Sequence, residues 1–471
     1  MTPPKLRFAP APTGYLHLGS ARTALFNWLC AKQSGGTLVL RIEDTNADLV
    51  RPGMLDDIFS TLDWLGITFD GEPIHQSRRA DLYAAAVDGW LDAGLAYERD
   101  GAVRFTVPDD GATEFDDVVR GHVSVDNAGI ADFVVRRSDG TATFAVANAV
   151  DDLDLGITHI VRGEDMLNVT PQVVLLRRAL GEAEPPVYAH LPLILNEQRK
   201  KLSKRRDDVA VRDYRARGVL PEALVNYLAL LGWGPPDNVE IRPIDEIAEL
   251  FRLENVNAAP AVFDPAKLEA VNGAYIRQLT PAQFAAAFEP FAPRDEWADA
   301  LSAGGAADES TQSSERLSAR LSARLVELAP LVQERTRLLA DAPGQLDFFF
   351  ADPDVDGEAW GEAWSAAVGD AGDDAGGGSA KATTPEQARA ILAGLAEAVA
   401  AFGDWEADAL QAELRRIAEE LDLKLRVAQA PVRVAVTGRS VGPPLFESME
   451  LLGRAETLKR LGAALARLPA G

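Results

Sequence analysis

The sequence predicts an α/β fold in two halves, split by a short β-rich insert and followed by all-helical domains. Three observations predict it. Short apolar strands alternate with helix-period segments over residues 6–42 and again beyond residue 143. Between these stretches the apolar runs shorten to strand length and are parted by turn residues. The apolar spacing is helical at residues 220–232 and again from about residue 315.

Leu6 to Ala9 is a short strand that runs into the turn Pro10-Ala-Pro-Thr-Gly14. Ala21, Ala24, Leu25, Trp28 and Leu29 follow at helical spacing, and Gly35-Gly36 closes that helix. Thr37 to Ile42 reads as a buried strand with Glu43-Asp44 at its end. Such a βαβ unit binds ligands where the strands end and the helix begins. The helix start near Ser20 offers unpaired N–H groups and partial positive charge, which suits a phosphate. Gly19 lets a ligand approach the backbone, and His17 adds a side-chain donor.

Pro52 suits a helix start; Leu55, Ile58, Phe59, Leu62 and Leu65 continue it to Gly66. A second helix carries Leu82 to Leu91 and ends at Gly94, with His75 in the loop before it. In the insert, Ala102 to Val107, Val118 to Val125 and Phe133 to Arg137 read as strands. Pro108 to Gly111 and Ser138 to Thr141 are turns. The second half begins near Thr143. Ala145 to Val150, Ile157 to Val161 and Val187 to Leu195 read as buried strands, near-continuously apolar as parallel strands are. Asp151-Asp152 read as turn-formers, and Thr170-Pro171 opens a helix that Gly181 ends. Asn148 and Arg162 sit where strands and loops reach a ligand.

Asn196-Glu-Gln-Arg-Lys-Lys-Leu-Ser-Lys-Arg205 is too charged to pack a core. A basic loop of this kind can close over a triphosphate and set ammonium groups against developing charge. Leu220 to Gly232 is a helix with Pro221 at its start. Ala303 to Ser314 is a Gly/Ala/Ser-rich linker. Helices follow at Leu317 to Leu339, Pro385 to Phe402 and Asp408 to Leu423, with a loose Gly/Ala/Asp-rich loop at Asp356 to Thr384.

At 471 residues, the length suggests roughly three domains. The single cysteine, Cys30, makes no intrachain disulfide and reads as a small buried hydrophobe. The N-terminus shows no apolar signal region and no run is long enough to span a bilayer, so a soluble cytoplasmic protein is expected. A formal charge of −25 would by itself argue against a nucleic-acid partner. Net charge hides local patches, however, and basic residues cluster at Arg177-Arg178, Arg199 to Arg206 and Arg212 to Arg217.

The run Arg7-Phe-Ala-Pro-Ala-Pro-Thr-Gly-Tyr-Leu-His-Leu-Gly-Ser20 resembles the nucleotide-binding element of class I aminoacyl-tRNA synthetases. With Arg22-Thr-Ala-Leu-Phe-Asn27 and Arg41-Ile-Glu-Asp-Thr45 it looks like glutamyl-tRNA synthetase. Lys201-Leu-Ser-Lys-Arg205 resembles the second element of that class, and the close around Arg433 to Phe446 resembles the C-terminal anticodon-binding region of bacterial members. The resemblance implies a split Rossmann-like catalytic domain (1–70 and 143–196) around an acceptor-end-binding insert (71–142). A helical domain contacting the tRNA stem (197–300) and a helical anticodon-binding domain (310–471) would follow. It implies a glutamate–tRNA ligase that uses ATP with Mg²⁺, acts on L-glutamate and tRNA(Glu), and is a monomer away from membranes.

By that resemblance His17, Lys201 and Lys204 are the catalytic group. Pro10, Thr13, Gly14, His17, Gly19, Ser20, Ser203 and Lys204 would hold ATP. Arg7, Ala9, Ala11, Glu43, Phe144, Asn148 and Arg162 would hold glutamate, Arg7 meeting the side-chain carboxylate and Glu43 the ammonium. Arginine suits this because its planar fork binds a carboxylate bidentately. Some members bind zinc through cysteines in the insert; none is present here, so no zinc and no protein-held metal is expected. Ala11 and Phe144 stand where the family often has Ser and Tyr, each losing a hydroxyl. The rival readings are a glutaminyl-tRNA synthetase, whose C-terminal part is mostly β-barrel, an enzyme that also charges tRNA(Gln), and a catalytically silent tRNA- or nucleotide-binding paralogue. Length excludes a tRNA-modifying glutamyl transferase without an anticodon domain.

Overall fold

The computed structural model describes residues 3–202, 210–303, 314–353 and 383–468. The chain forms two compact units, Met1–Tyr275 and Ile276–Gly471.

In the first unit, β1 (Lys5–Phe8), β2 (Thr37–Ile42) and β3 (Ile74–His75) pair in parallel. Helix α1 (Leu18–Ser34) makes the crossover. The next helices are α2 (Met54–Trp64) and α3 (Ala80–Asp92). The insert contributes β4 (Ala96–Arg99), β5 (Ala102–Phe105), β6 (Ala112–Asp117), β7 (Gly121–Asp126) and β8 (Phe133–Arg136). Helix α4 (Phe144–Asp154), β9 (His159–Gly163), α5 (Thr170–Ala179), β10 (Val187–Leu191) and β11 (Ile194–Leu195) complete the second half. One sheet has the order β7-β6-β10-β9, and β4-β5-β8 form a separate antiparallel sheet.

The two halves meet where β1 and β9 begin. Lys5 N donates to Thr158 Oγ1 at 2.8 Å, and Thr158 N donates to Lys5 O at 3.0 Å. This seam is the point at which a doubly wound sheet opens a crevice at its strand ends. Helix α1 lies across it: Asn27 Nδ2 donates to Val161 O at 3.1 Å. Leu18, Leu25, Phe26 and Leu29 of α1 are fully buried, each contributing about 1.5–3 kcal/mol of apolar burial.

Several elements differ from the sequence reading. Ala145 to Val150 is not a strand but most of α4, and Asp151-Asp152 are its buried last turn rather than turn-formers. A short, wholly apolar run carries no period that separates a buried strand from a buried helix. Thr143, extended at φ −81°, ψ 163°, marks the start. His75 is not in a loop: it pairs with Ile42 at the sheet edge. Helix α2 begins at Met54, after a left-handed Gly53 at φ +76°, and not at Pro52. The strand β6 was not foreseen, and residues 118–120 form the turn into β7 rather than its first half. Residue Asp117 of β6 pairs in parallel with Tyr188 of β10, so this hairpin extends the sheet of the second half.

Helices α6 (Val211–Ala216), α7 (Pro221–Leu230), α8 (Ile244–Leu250) and α9 (Pro265–Gln278) follow, the last carrying the boundary between the units. This stretch is not wholly helical, because β12 (Ala261–Val262) pairs in parallel with β11. The described part of the second unit is helical: α10 (Pro281–Phe288), α11 (Arg294–Ala303), α12 (Ser314–Val332), α13 (Ala342–Leu346), α14 (Pro385–Ala400), α15 (Ala407–Glu420), α16 (Leu425–Thr437), α17 (Leu445–Leu452) and α18 (Arg454–Arg467). The expected single helix from Leu317 to Leu339 ends at Val332, two residues beyond Pro330, where a missing N–H weakens the last turn. Thr384 and Gln387 form a reciprocal capping box at the start of α14. Ile391, Leu395, Leu410, Leu414, Val432, Met449 and Leu461 make one buried core between the last five helices. The linker at 303–314 and the loop at 356–384 lie almost wholly outside the described residues. No described helix is long and apolar enough to cross a membrane.

Candidate active site

A cavity of about 460 Å³ opens at the seam between the halves. Phe8 and Gly163, the last residues of β1 and β9, both line it. The cavity collects Arg7, Ala9, Pro10, Ala11, Thr13, Gly14, His17, Gly19, Ser20, Glu43, Phe144, Asn148, Arg162 and Lys201. These are all the sequence-predicted site residues that lie within the described part of the chain. Ser203 and Lys204 lie outside it.

His17 occupies the N-cap position of α1, extended at φ −99°, ψ 161°. Its Nδ1 accepts from Ser20 N at 3.2 Å, and its Nε2 is 3.0 Å from Ser20 Oγ. The first-turn N–H of Ser20 is therefore not unpaired, as the sequence suggested; the imidazole holds the place an anion would take. Gly19 has a second reason to be glycine. A Cβ there would sit 3.2 Å from Cε1 and Nδ1 of the His17 ring. The turn before α1 is pinned by Glu43 N donating to Pro10 O at 2.9 Å and by Leu16 N donating to Asp57 Oδ2 at 3.1 Å.

The basic segment lines the same cavity where it departs, and its return is tied to the His17 turn. Lys201 forms an antiparallel bridge with Leu195, and Leu202 also lines the cavity. Lys201 Nζ is 3.8 Å from Asp165 Oδ2, an exposed pair that leaves the ammonium accessible. On the far side Ala210 bridges His17, Val211 N donates to Leu16 O at 3.0 Å, and the Arg212 guanidinium lies 3.2 Å from the Tyr15 ring centre.

The opposite end of the cavity rests on a buried ionic network. Arg7 Nε donates to Asp152 Oδ1 at 3.1 Å, and Arg41 Nη1 donates to the same oxygen at 2.5 Å. Arg41 Nη2 donates to Asn148 Oδ1 at 2.6 Å, and Asn148 Nδ2 donates to Glu43 Oε1 at 3.1 Å. Burial opposes ionisation of Asp152, yet Arg7, Arg41 and Arg177 outweigh it and hold the carboxyl at about 2. Asp151 beside it accepts from Gln76 Nε2 at 2.8 Å, Arg79 Nε at 2.7 Å and Tyr83 OH at 2.9 Å. Burial pushes the Glu43 carboxyl up, against Arg41, Arg7 and the Asn148 hydrogen bond. A cationic ligand group beside Glu43 would reverse that shift.

Arg162 is buried and forms no ion pair among the described residues. Its Nε donates to His190 Nε2 at 3.2 Å and its Nη2 to Thr170 Oγ1 at 2.8 Å. Burial, with the charge of Arg7, lowers its pKa to about 10, so it remains cationic at neutral pH. The lining thus combines Arg7, Arg162 and Lys201 with the single deep carboxylate Glu43, a set suited to a ligand of several negative groups and one positive one.

The sequence reading missed Arg41, Asp151 and Asp152. The signal was present: Arg41 interrupts a buried strand, and a buried cation requires a buried carboxylate partner. Cys30 is buried as expected, and burial pushes its thiol up to about 11. Among the described residues no cluster of three or more His, Cys, Asp or Glu could hold a metal.

The catalytic-domain model of the class I tRNA synthetases for E and Q matches residues 5–102 and 98–270. A model described as an anticodon binding domain matches residues 283–465. The chain is 43% identical to a glutamate–tRNA ligase of Frankia casuarinae, with 99% of each chain covered. It is 43% identical to one from Thermobifida fusca, covering 99% of this chain and 98% of that one. The solved structure of a glutamate tRNA ligase from Elizabethkingia meningosepticum, in complex with its amino acid, superposes with a TM-score of 0.78. It has 29% identity and covers 99% of this chain and 100% of that one.

Proposed function

The chain belongs to the glutamate–tRNA ligases, class I aminoacyl-tRNA synthetases, and from that premise we propose how its residues divide the work. The enzyme activates L-glutamate with ATP to glutamyl-adenylate and pyrophosphate. It then transfers the glutamyl group to the 3′-terminal adenosine of tRNA(Glu). The attacking carboxylate is already a nucleophile, so catalysis rests on positioning and on charge stabilisation at the phosphates.

Arg7 and Arg162 hold the carboxylates of glutamate, and Glu43 takes the ammonium, whose charge offsets the burial that pushes the Glu43 carboxyl up. Asn148 fixes the Glu43 carboxylate, and Phe144, Ala9 and Ala11 form the walls. Pro10, Thr13, Gly14 and Gly19 shape the approach of ATP. Its phosphates displace His17 from Ser20 N, so the imidazole and the first turn of α1 both donate to them. Lys201 and Lys204, with Ser203, neutralise the departing pyrophosphate. The described residues offer no resident metal site, and Mg²⁺ enters bound to ATP.

Residues 1–70 and 143–196 form the catalytic domain, 71–142 receive the acceptor end, 197–300 follow the tRNA stem, and 310–471 read the anticodon. The protein works as a cytoplasmic monomer. One observation carries this reading: the His17 turn, Lys201, and the Arg7–Glu43–Asn148–Arg162 group share one cavity. The test is glutamate-dependent ATP–pyrophosphate exchange with and without tRNA, followed by charging of purified tRNA(Glu) and tRNA(Gln). Exchange with glutamate and charging of tRNA(Glu) are expected; no exchange even with cognate tRNA would leave a nucleotide- or RNA-binding paralogue.

A further inference from the structure

We infer that His190 is a positioning residue for glutamate activation: locked by Asp117, its imidazole aims the Arg162 guanidinium into the cavity without neutralising it. This rests on the reading of Arg162 as a glutamate contact.

Arg7 and Arg162 both face the cavity, but they are held differently. Arg7 shares the Asp152 carboxylate, which offsets part of its charge. Among the described residues Arg162 is held only by neutral acceptors, His190 Nε2 and Thr170 Oγ1. A guanidinium oriented by a neutral imidazole keeps its full charge for an incoming carboxylate, whereas one paired with a carboxylate must exchange partners.

The arrangement works only if His190 Nε2 is unprotonated. Its proton must then sit on Nδ1, which lies 2.6 Å from Asp117 Oδ2. The same carboxylate is fixed by four backbone and side-chain donors. Its Oδ1 accepts from Val119 N at 2.9 Å and Arg120 N at 2.8 Å; its Oδ2 accepts from His190 N at 3.0 Å as well as from Nδ1. Asp117 therefore cannot turn away. The backbone of His190 is clamped too, since Arg120 Nε donates to His190 O at 3.2 Å. The side chains of His190, Asp117 and Thr170 are all buried. Protonating His190 would point an N–H at the Arg162 N–H; burial of the ring already disfavours that state. Asp117 and Arg120 belong to the β6–β7 hairpin, so the insert itself sets the orientation of a residue in the amino-acid pocket.

The test uses the full chain and measures KM for glutamate and KM for ATP separately in tRNA-supported pyrophosphate exchange. His190→Leu removes both ring nitrogens and should raise KM for glutamate about tenfold while moving KM for ATP less than about twofold. His190→Gln supplies an oxygen for Arg162 and an N–H for Asp117, and should recover most of the loss. Equal shifts in both constants, no shift in either, or no recovery with glutamine would overturn the inference. Should His190→Leu fail to fold, Asp117→Asn carries the test. It keeps the volume, removes the tautomer lock, and should raise KM for glutamate about fivefold; an unchanged KM overturns the inference. Arg162→Lys separates the two readings. If it leaves KM for glutamate unchanged, the assignment of Arg162 to glutamate fails; if it raises KM and His190→Leu does not, only the role of His190 fails.

Discussion

His17 and Ala210 face each other across an antiparallel backbone bridge. One caps the helix after the first strand; the other ends the lysine-rich segment. The bridge ties the return of that segment to the turn before α1, which lines the cavity, and Leu202 at its departure lines the same cavity. Both ends of the stretch that carries Lys204 are therefore anchored beside the cavity, one at its lining and one at His17.

That anchoring is testable at Val211, whose N–H donates to Leu16 O. Val211 is the first residue of α6, where proline is tolerated, and Ala210 before it is already extended at φ −80°, ψ 131°. Val211→Pro should remove only this hydrogen bond. Exchange turnover is expected to fall about tenfold with KM for glutamate unchanged, and the stability cost should be about 1 kcal/mol. Stopped-flow exchange kinetics and thermal unfolding check both.

Asp152 should matter for stability as well as binding. Its folded-state carboxyl titrates at about 2, below its ordinary 3.8. A depressed carboxylate stabilises the fold above its unfolded pKa and loses that contribution as pH falls through the folded value. This share, about 2–3 kcal/mol, is complete above about pH 4 and vanishes toward pH 2. Asp152→Asn leaves Arg7 without its carboxylate and takes one of three carboxylates from Arg41, which keeps Glu43 and Asp151; it should cost about 3–5 kcal/mol at neutral pH, read from denaturant unfolding.

Glu43 gives the opposite titration. Its carboxyl is raised by burial, so a rising fraction is neutral as pH falls, and a neutral carboxyl cannot hold an ammonium. KM for glutamate should climb on the acid side of neutrality in the wild type. Glu43→Gln should have a high KM that no longer varies with pH over that range. A wild-type KM that is flat with pH would remove Glu43 as the ammonium partner.

Phe144 lines the cavity beside Asn148. Phe144→Tyr adds a hydroxyl at a wall otherwise formed by Ala9 and Ala11. We expect KM for glutamate to fall about fivefold, equivalent to about 1 kcal/mol, with KM for ATP unchanged.

The His17 end of the cavity was legible because its signal is local. A strand, a Pro/Gly turn, His17 and a helix start are consecutive residues, and the structure keeps them in that order. The Arg7–Glu43–Asn148 end was less legible because its logic is not local. Arg41 and Asp152 find each other only after the last turn of α4 reaches the first sheet through its side chains, and α4 itself was read as a strand. Its apolar residues are buried on all sides, so no helical stripe is visible in the sequence. The same holds for Asp117 and His190, brought together by a parallel strand pair that joins the insert to the second half.

His17 and Lys204 are proposed to act on one triphosphate. Glutamate-dependent pyrophosphate exchange by His17→Ala, Lys204→Ala and the double variant measures that directly. Each single change should lower turnover about 10²- to 10³-fold, and the double change should fall well short of the product of the two losses. Losses that multiply in full, or a Lys204→Ala enzyme that exchanges at the wild-type rate, would contradict it.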